Sequence, residues 1–329
     1  MKLPSQSLRA FFLMSLLLVK TILAGSFEYP DFDQSMLRDL KCLNKRIEEV
    51  ERVKKKYASY DQKMVAMFRD IYEQNIHAAQ NDPVFTSKVR IPRIVHQIWL
   101  GGNVPEKYRE WMESWLIGSG WEYKLWTDED VKHFKLYNQD LYDKSDNYGE
   151  KADILRLEIL NRFGGVYADT DYECLNPAVL EELHKNYDFY IGFEPLEHGC
   201  IYKYHLFKVC NAIMASAPGH PLIKDFIVNM KANFFAYIER TPVERTGPSY
   251  LTRIICQFEL SRAHQYRNMY LPCSFIYPYT EMDLNYFIAN PYISVDICPE
   301  TLGIHYWSGS WKKVDPSMYS DATKFQNKD

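Results

Sequence analysis

Hydrophobic and polar positions change their spacing along the chain and divide it into three stretches. In the first, Lys2 and Arg9 precede an apolar run from Ala10 to Val19, and the small residues Ala24 to Ser26 follow. That is the order of a secretory signal, which would export the chain. Lys20 breaks the run, which is shorter than the roughly 20 residues of a bilayer span, although a snorkelling lysine could stretch it into a type II anchor. Residues 1–26 therefore read as signal peptide or membrane anchor, with a core helix as the third reading. Either export reading puts the rest of the chain beyond the membrane, because the positive charges lie on the N-terminal side of the run.

In the second stretch, from Ser35 to Gln80, helix breakers are nearly absent. Leu37, Leu40, Leu43, Ile47, Val50, Val53, Tyr57, Met64, Met67 and Ile71 recur mostly at steps of three and four. The spacing predicts one long amphipathic helix or two, with segments such as NKRIEEVERVKKK on the solvated face. Residues 27–83 thus form a helical extension, a stalk or accessory layer. Asn81-Asp82-Pro83 closes it, since proline has no amide hydrogen to give and its ring blocks the preceding turn.

The third stretch, residues 84–329, alternates strands and helices. IPRIVHQIWL (Ile91–Leu100) is a β-branched apolar run bounded by Pro92 and Gly101-Gly102, which predicts a buried first strand with His96 in the core. WEYKLW (Trp121–Trp126) is a second strand, after which Thr127 or Asp128 can cap a helix. Lys151 to Phe163 is a helix with Ile154, Leu155, Leu157, Ile159 and Leu160 on its buried side and Gly164 at a left-handed cap. Val166 to Asp169 is the next strand. Further on, Asn186–Phe193 reads as a strand, His220–Asn233 as an amphipathic helix, and Thr246 onward as a turn entering a helix. The alternation predicts an α/β fold with a doubly wound sheet that binds ligands at the carboxyl ends of its strands.

Composition narrows the function. A hydrophobic fraction of 47% over 329 residues is enough for a full core, and 15% aromatics suit either that core or a site that stacks rings and sugars. A formal net charge of -4 gives no basic footprint for nucleic acid. The seven cysteines lie far apart without a C-x-x-C pair, which argues against a zinc cluster, while an oxidising lumen would permit one to three disulfides.

The chemistry concentrates at Asp169 and Asp171. If strand geometry holds through Asp171, residues two apart share a face and both carboxylates point into one crevice. Two carboxylates that close repel unless a cation lies between them. Mg²⁺ or Mn²⁺ accepts such oxygens, keeps positions for water and phosphate, and can neutralise a departing diphosphate. The alternative is the polar rim of an ordinary turn. Asp153 and Arg156, three apart on the preceding helix, share a face and could hold sugar hydroxyls and phosphate, or form a surface ion pair. Glu158 and Glu173 read as rim or helix surface.

ADILRLEILNRFGGVYADTDYECLNP (Ala152–Pro177) resembles the core of the DXD-containing sugar transferases of glycosyltransferase family thirty-two, which include yeast-type α-1,6-mannosyltransferases. It is also similar to the glucosyltransferase domain of large clostridial toxins. IPRIVHQIWLGG resembles the family's opening strand, and TGP (Thr246–Pro248) and HYWSGSW (His305–Trp311) resemble later landmarks. The resemblance implies a GT-A-type, Rossmann-like nucleotide-sugar-binding sheet, here with an N-terminal helical extension. It also implies metal-dependent transfer of a hexose, with retention, from GDP-mannose or a UDP-hexose to a hydroxyl of a glycan, glycolipid or protein, using Mn²⁺ or Mg²⁺. Residue by residue, Asp169 and Asp171 would carry the metal and the donor diphosphate, and Asp153 and Arg156 the donor sugar. Trp99 would stack on the base and His305 would complete the metal shell. Ser308, Ser310 and Trp311 would meet the diphosphate. From the residues alone, Trp99 reads equally as packed core, and a lone histidine such as His305 beside Tyr306 and Trp307 is more often a packed, hydrogen-bonded residue. Two other classes fit parts of the pattern: a haloacid-dehalogenase-like phosphotransferase, and a membrane-associated binding protein with a degenerate transferase domain.

Overall fold

The computed structural model describes residues 28–38, 47–81, 89–201, 206–261, 266–290 and 297–310, with the backbone alone at 47, 49, 200 and 201. The apolar run at 10–19, Cys42 and Trp311 lie outside these residues. No described helix is long and apolar enough to cross a membrane.

The described strands are β1 (Ile94–Ile98), β2 (Glu122–Trp126), β3 (Gly165–Ala168), β4 (Tyr172–Cys174), β5 (Phe189–Phe193), β6 (Val209–Ser216), β7 (Asn268–Leu271) and β8 (Gly303–His305). Six of them form one sheet in the order β2-β1-β3-β6-β5-β7, and β4 pairs with β8 in a separate ladder. The large sheet is parallel except for β6, which runs antiparallel to both β3 and β5. The carboxyl ends of β1, β3 and β5 therefore share an edge with the amino end of β6. The sheet is α/β as expected, but mixed rather than wholly parallel.

The helix that feeds β3 spans Tyr148–Phe163, three residues earlier than its apolar spacing indicates. Asn147 supplies the start, its side chain accepting from the N–H groups of Gly149 and Glu150. Gly164 ends it at φ 64°. Gly165 then brings β3 so close to β1 that a Cβ would sit 2.5 Å from the Ile94 carbonyl oxygen, which only glycine avoids.

The N-terminal residues pack against the far edge of the sheet. Among the described residues, the run expected as one helix or two carries three: Phe32–Leu37, Ile47–Ser59 and Gln62–Asn81. Asp61 separates the last two by accepting from the N–H groups of Lys63 and Met64, a local alternative to continuing the helix. Phe32, Met36, Val50, Val53, Phe68 and Tyr72 join the main core. The Phe68 ring stands 5.1 Å from that of Tyr270 on β7, and Asn75 donates to the Asn268 carbonyl. The edge strand is thus covered rather than exposed.

Three local expectations change. Thr127, not Asp128, caps the helix after β2, in a capping box with Asp130, and Asp128 instead accepts from Gly101 N–H at 2.8 Å. Glu158 is buried, with Oε1 accepting from Tyr137 N–H at 2.7 Å. Glu173 is half-buried and accepts from the Tyr306 hydroxyl at 2.6 Å. Cys174, Cys210, Cys256, Cys273 and Cys298 are free thiols, and Cys42 and the Cys200 side chain lie outside the described residues.

Candidate active site

Strand β3 ends at Ala168, so Asp169 and Asp171 belong to a tight turn closed by Tyr172 N–H on the Asp169 carbonyl at 3.0 Å. They are not successive positions of one strand. Their convergence comes from the small ladder instead. Tyr172 of β4 is directly opposite His305 of β8, and Tyr306 N–H extends the contact to the Asp171 carbonyl at 2.9 Å. This pairing lays the imidazole against the turn.

Each carboxylate commits one oxygen to the protein and turns the other toward His305. Asp169 Oδ1 accepts from the Tyr167 hydroxyl at 2.6 Å and lies 3.3 Å from an Arg156 nitrogen. Asp171 Oδ2 accepts from both the N–H and the hydroxyl of Ser308 at 2.7 Å. Asp171 Oδ1 is 3.3 Å and Asp169 Oδ2 4.0 Å from His305 Nε2. Asp169, Asp171 and His305 each offer one ligand atom within 4.8 Å of the others. Two carboxylate oxygens and an imidazole nitrogen suit Mn²⁺ or Mg²⁺ and leave coordination positions for water and phosphate oxygens.

The charges are unequal. Burial alone would raise Asp171, but His305 and the Ser308 bonds outweigh it and hold the carboxyl at about 2. Asp169 moves the other way: burial and the Asp171 charge raise it against Arg156. Burial would lower His305, yet Asp171 and Asp169 raise it.

Asp153 and Arg156 are both buried, so the surface ion pair is excluded. Arg156 lies 3.1 Å from Asp153 Oδ1, donates to the Asn211 carbonyl, and packs over the Tyr167 ring at 4.3 Å. Asp153 also accepts from Asn211 Nδ2 and from the Thr246 hydroxyl, each at 2.7 Å. Burial pushes its carboxyl up to about 6 against Arg156, Thr246 and Asn211.

Trp99 follows β1 and tilts against Tyr108 with ring centroids 5.0 Å apart. Its buried indole N–H has no hydrogen-bond partner among the described residues. Tyr108 in turn shares a hydrogen bond with the Ser308 hydroxyl at 3.1 Å. Ser310 is exposed just beyond, and Trp311 lies outside the described residues. Asn211, Tyr108 and Tyr167 were not singled out from sequence, and Thr246 only as the start of the TGP landmark, with no contact to Asp153 foreseen. For Asn211 a signal existed, a lone amide inside the buried run VCNAIMAS of β6.

An α/β sheet with a carboxylate pair and a histidine gathered at its strand ends could hold a divalent cation. Residues 105–190 match the model of the glycosyltransferase sugar-binding region containing the DXD motif. Inositol phosphoceramide mannosyltransferase 3 of Schizosaccharomyces pombe is 28% identical over 194 residues, 56% of this chain and 48% of that protein. A mannosyl phosphorylinositol ceramide synthase of Saccharomyces cerevisiae is 29% identical over 178 residues, 51% of this chain and 43% of that one. The chain spans about half the length of the curated relatives it matches. Among solved structures, the catalytic domain of alpha-toxin from Clostridium novyi has 11% identity and a TM-score of 0.36, over 88% of this chain and 87% of that one.

Proposed function

We propose that the protein transfers a hexose from a nucleotide-diphosphate sugar to an acceptor hydroxyl, with Mn²⁺ or Mg²⁺ held by Asp169, Asp171 and His305. The observation that carries this reading is the convergence of Asp169, Asp171 and His305, with Asp169 Oδ2 and Asp171 Oδ1 both facing His305 Nε2. A divalent cation there would supply charge to neutralise the departing diphosphate. Ser308 and Tyr167 fix the two carboxylates so that their outward oxygens are already oriented. Arg156 adds a fixed positive charge behind Asp169. Asp153 and Arg156, braced by Asn211 and Thr246, form the donor-sugar side, and Trp99 offers its ring and its unpartnered N–H to the base. Ser308, Ser310 and Trp311 complete the diphosphate side. Among the described residues no side chain stands out as a covalent nucleophile, which suits positioning of donor and acceptor with retention of configuration.

The names of the relatives make GDP-mannose the first donor to test, ahead of UDP-hexoses, and a glycolipid headgroup the first acceptor, ahead of glycan or protein hydroxyls. Residues 1–26 support a place in the secretory pathway, with membrane association through that segment. Residues 27–83 serve as the helical extension of a catalytic domain over 84–329.

The test is release of nucleoside diphosphate from a panel of nucleotide sugars by the purified chain with Mn²⁺. Turnover of one donor that EDTA abolishes is expected. Free phosphate instead would favour the phosphotransferase, and nucleotide-sugar binding without turnover the degenerate binding protein. Turnover insensitive to EDTA would remove the metal from the account.

A further inference from the structure

We infer that Glu194, His198, Lys208 and the ring of Trp307 form a subsite for a cyclic polyol on the acceptor side of the site. The inference rests on the transferase reading above and assigns residues that reading leaves unused.

Topology puts the cluster at the right edge. Glu194 directly follows β5 and Lys208 directly precedes β6, with Glu194 N–H donating to the Lys208 carbonyl at 2.8 Å. Both therefore stand at the sheet edge that carries Asp169 and Asn211. Glu194 Oε2 is 3.2 Å from Lys208 Nζ and 3.2 Å from His198 Nδ1. Both contacts fall on Oε2, so Oε1 is the acceptor a hydroxyl would use. All three side chains are no more than 9% exposed. Burying such charges carries a desolvation penalty that an apolar filling of the same space would not.

Trp307 joins this cluster to the metal ligands. Its ring centroid is 4.2 Å from that of His305 and 4.6 Å from that of His198, edge-on to the latter at 78°. Its backbone is held at φ 53°, an unfavourable conformation for a bulky side chain, and its indole N–H is committed to the Tyr279 carbonyl at 2.9 Å. The ring remains half-buried rather than enclosed.

A carboxylate to accept from hydroxyls, an ammonium to donate to them, and an aromatic face for ring C–H groups make up a polyol-binding set, with His198 orienting the carboxylate through its Nδ1–H. The donor-sugar side is occupied differently. Asp153, Arg156, Asn211 and Thr246 are bonded together beside Asp169, whereas Glu194 lies beyond β6 and connects to His305 by way of His198 and Trp307.

The test loads the intact chain with Mn²⁺ and GDP, or UDP in parallel, and titrates myo-inositol and methyl α-D-mannopyranoside, read by saturation-transfer NMR. One of the two polyols should bind saturably. Glu194→Gln and, as a second variant, His198→Gln should each weaken it by about tenfold or more. The affinity for the Mn²⁺–nucleotide complex should fall far less. Inositol binding would point to a lipid headgroup as the source, mannoside binding to a glycan. Failure of both polyols to bind overturns the subsite, as do variants that bind like the native chain. A parallel loss of Mn²⁺–nucleotide affinity in both variants would make the cluster a structural tie between β5 and β6 and also overturn it. If the native chain binds neither nucleotide with Mn²⁺, the transferase reading itself falls; intact nucleotide binding without polyol binding sinks the subsite alone.

Discussion

His305 Nε2 stands 3.3 Å from Asp171 Oδ1 because Tyr172 and His305 are cross-strand partners in a ladder of only three pairs. The geometry of the site therefore depends on the register of two very short strands.

Gly303 is where that register is most vulnerable. It lies opposite Cys174, and a Cβ there would overlap the Glu173 carbonyl oxygen, which is backbone and cannot step aside. Gly303→Ala should destabilise the fold by about 1–3 kcal/mol through this overpacking. It should also weaken Mn²⁺ binding by about tenfold or more, because His305 moves with β8. Urea denaturation and Mn²⁺ titration by calorimetry check both. A variant with native Mn²⁺ affinity would show that the ladder does not place His305.

Acid should loosen the fold through buried histidines. His96 bonds through Nε2 to the Gly164 carbonyl at 2.9 Å and through Nδ1 to the Trp126 indole N–H at 3.2 Å, a pair of partners that requires the neutral ring. Burial lowers its pKa to about 4, against the Gly164 bond, and that of His184 to about 3, against its backbone bonds. A folded pKa below the unfolded value of 6.5 means that the unfolded chain binds protons first, so stability is present above 6.5 and falls as pH drops toward about 4. Each histidine contributes a slope of about 1.4 kcal/mol per pH unit inside its window. Asp153, raised to about 6, works in the opposite sense below that pH. The informative quantity is thus a difference: unfolding free energy should fall less steeply from pH 6.5 to 4 in His96→Gln than in the native chain. Parallel profiles would contradict this.

Arg38 should anchor the N-terminal helices. Its guanidinium is buried, 2.6 Å from Glu197 Oε1 and 3.8 Å from Asp283 Oδ2. Arg38→Met leaves the buried Glu197 carboxylate without that cation and should cost about 3–5 kcal/mol in denaturant unfolding. Adding Glu197→Met should recover part of the loss. A single variant within about 0.5 kcal/mol of the native chain would mean the pair contributes little.

The readable parts of the sequence were those with local signals. The helix ending at Phe163 carries apolar spacing and a Gly-Gly end, β1 and β5 are largely apolar runs, and β2 alternates charged residues with Tyr123 and Leu125, so each declares itself. Strand β6 is not among the elements expected from sequence, and its direction has no local signal either, because all eight of its residues are buried and such a run looks the same parallel or antiparallel. The β4–β8 ladder is too short for any periodicity, so His305 could be named as a candidate by resemblance but not placed. Asp153 and Arg156 looked like a surface pair because i,i+3 spacing says only that they share a face. Asn211, from β6, and Thr246 enclose that face, and their contacts are long-range.

Mn²⁺ binding to Asp171→Asn, followed by electron paramagnetic resonance with GDP or UDP present, tests the central claim most directly. The native chain should take up a single Mn²⁺ saturably. The variant should melt cooperatively yet show no saturable uptake and no Mn²⁺-dependent release of nucleoside diphosphate, because Asp171 supplies one of the three converging ligand atoms. A folded Asp171→Asn that binds Mn²⁺ and turns over donor like the native chain would contradict the account.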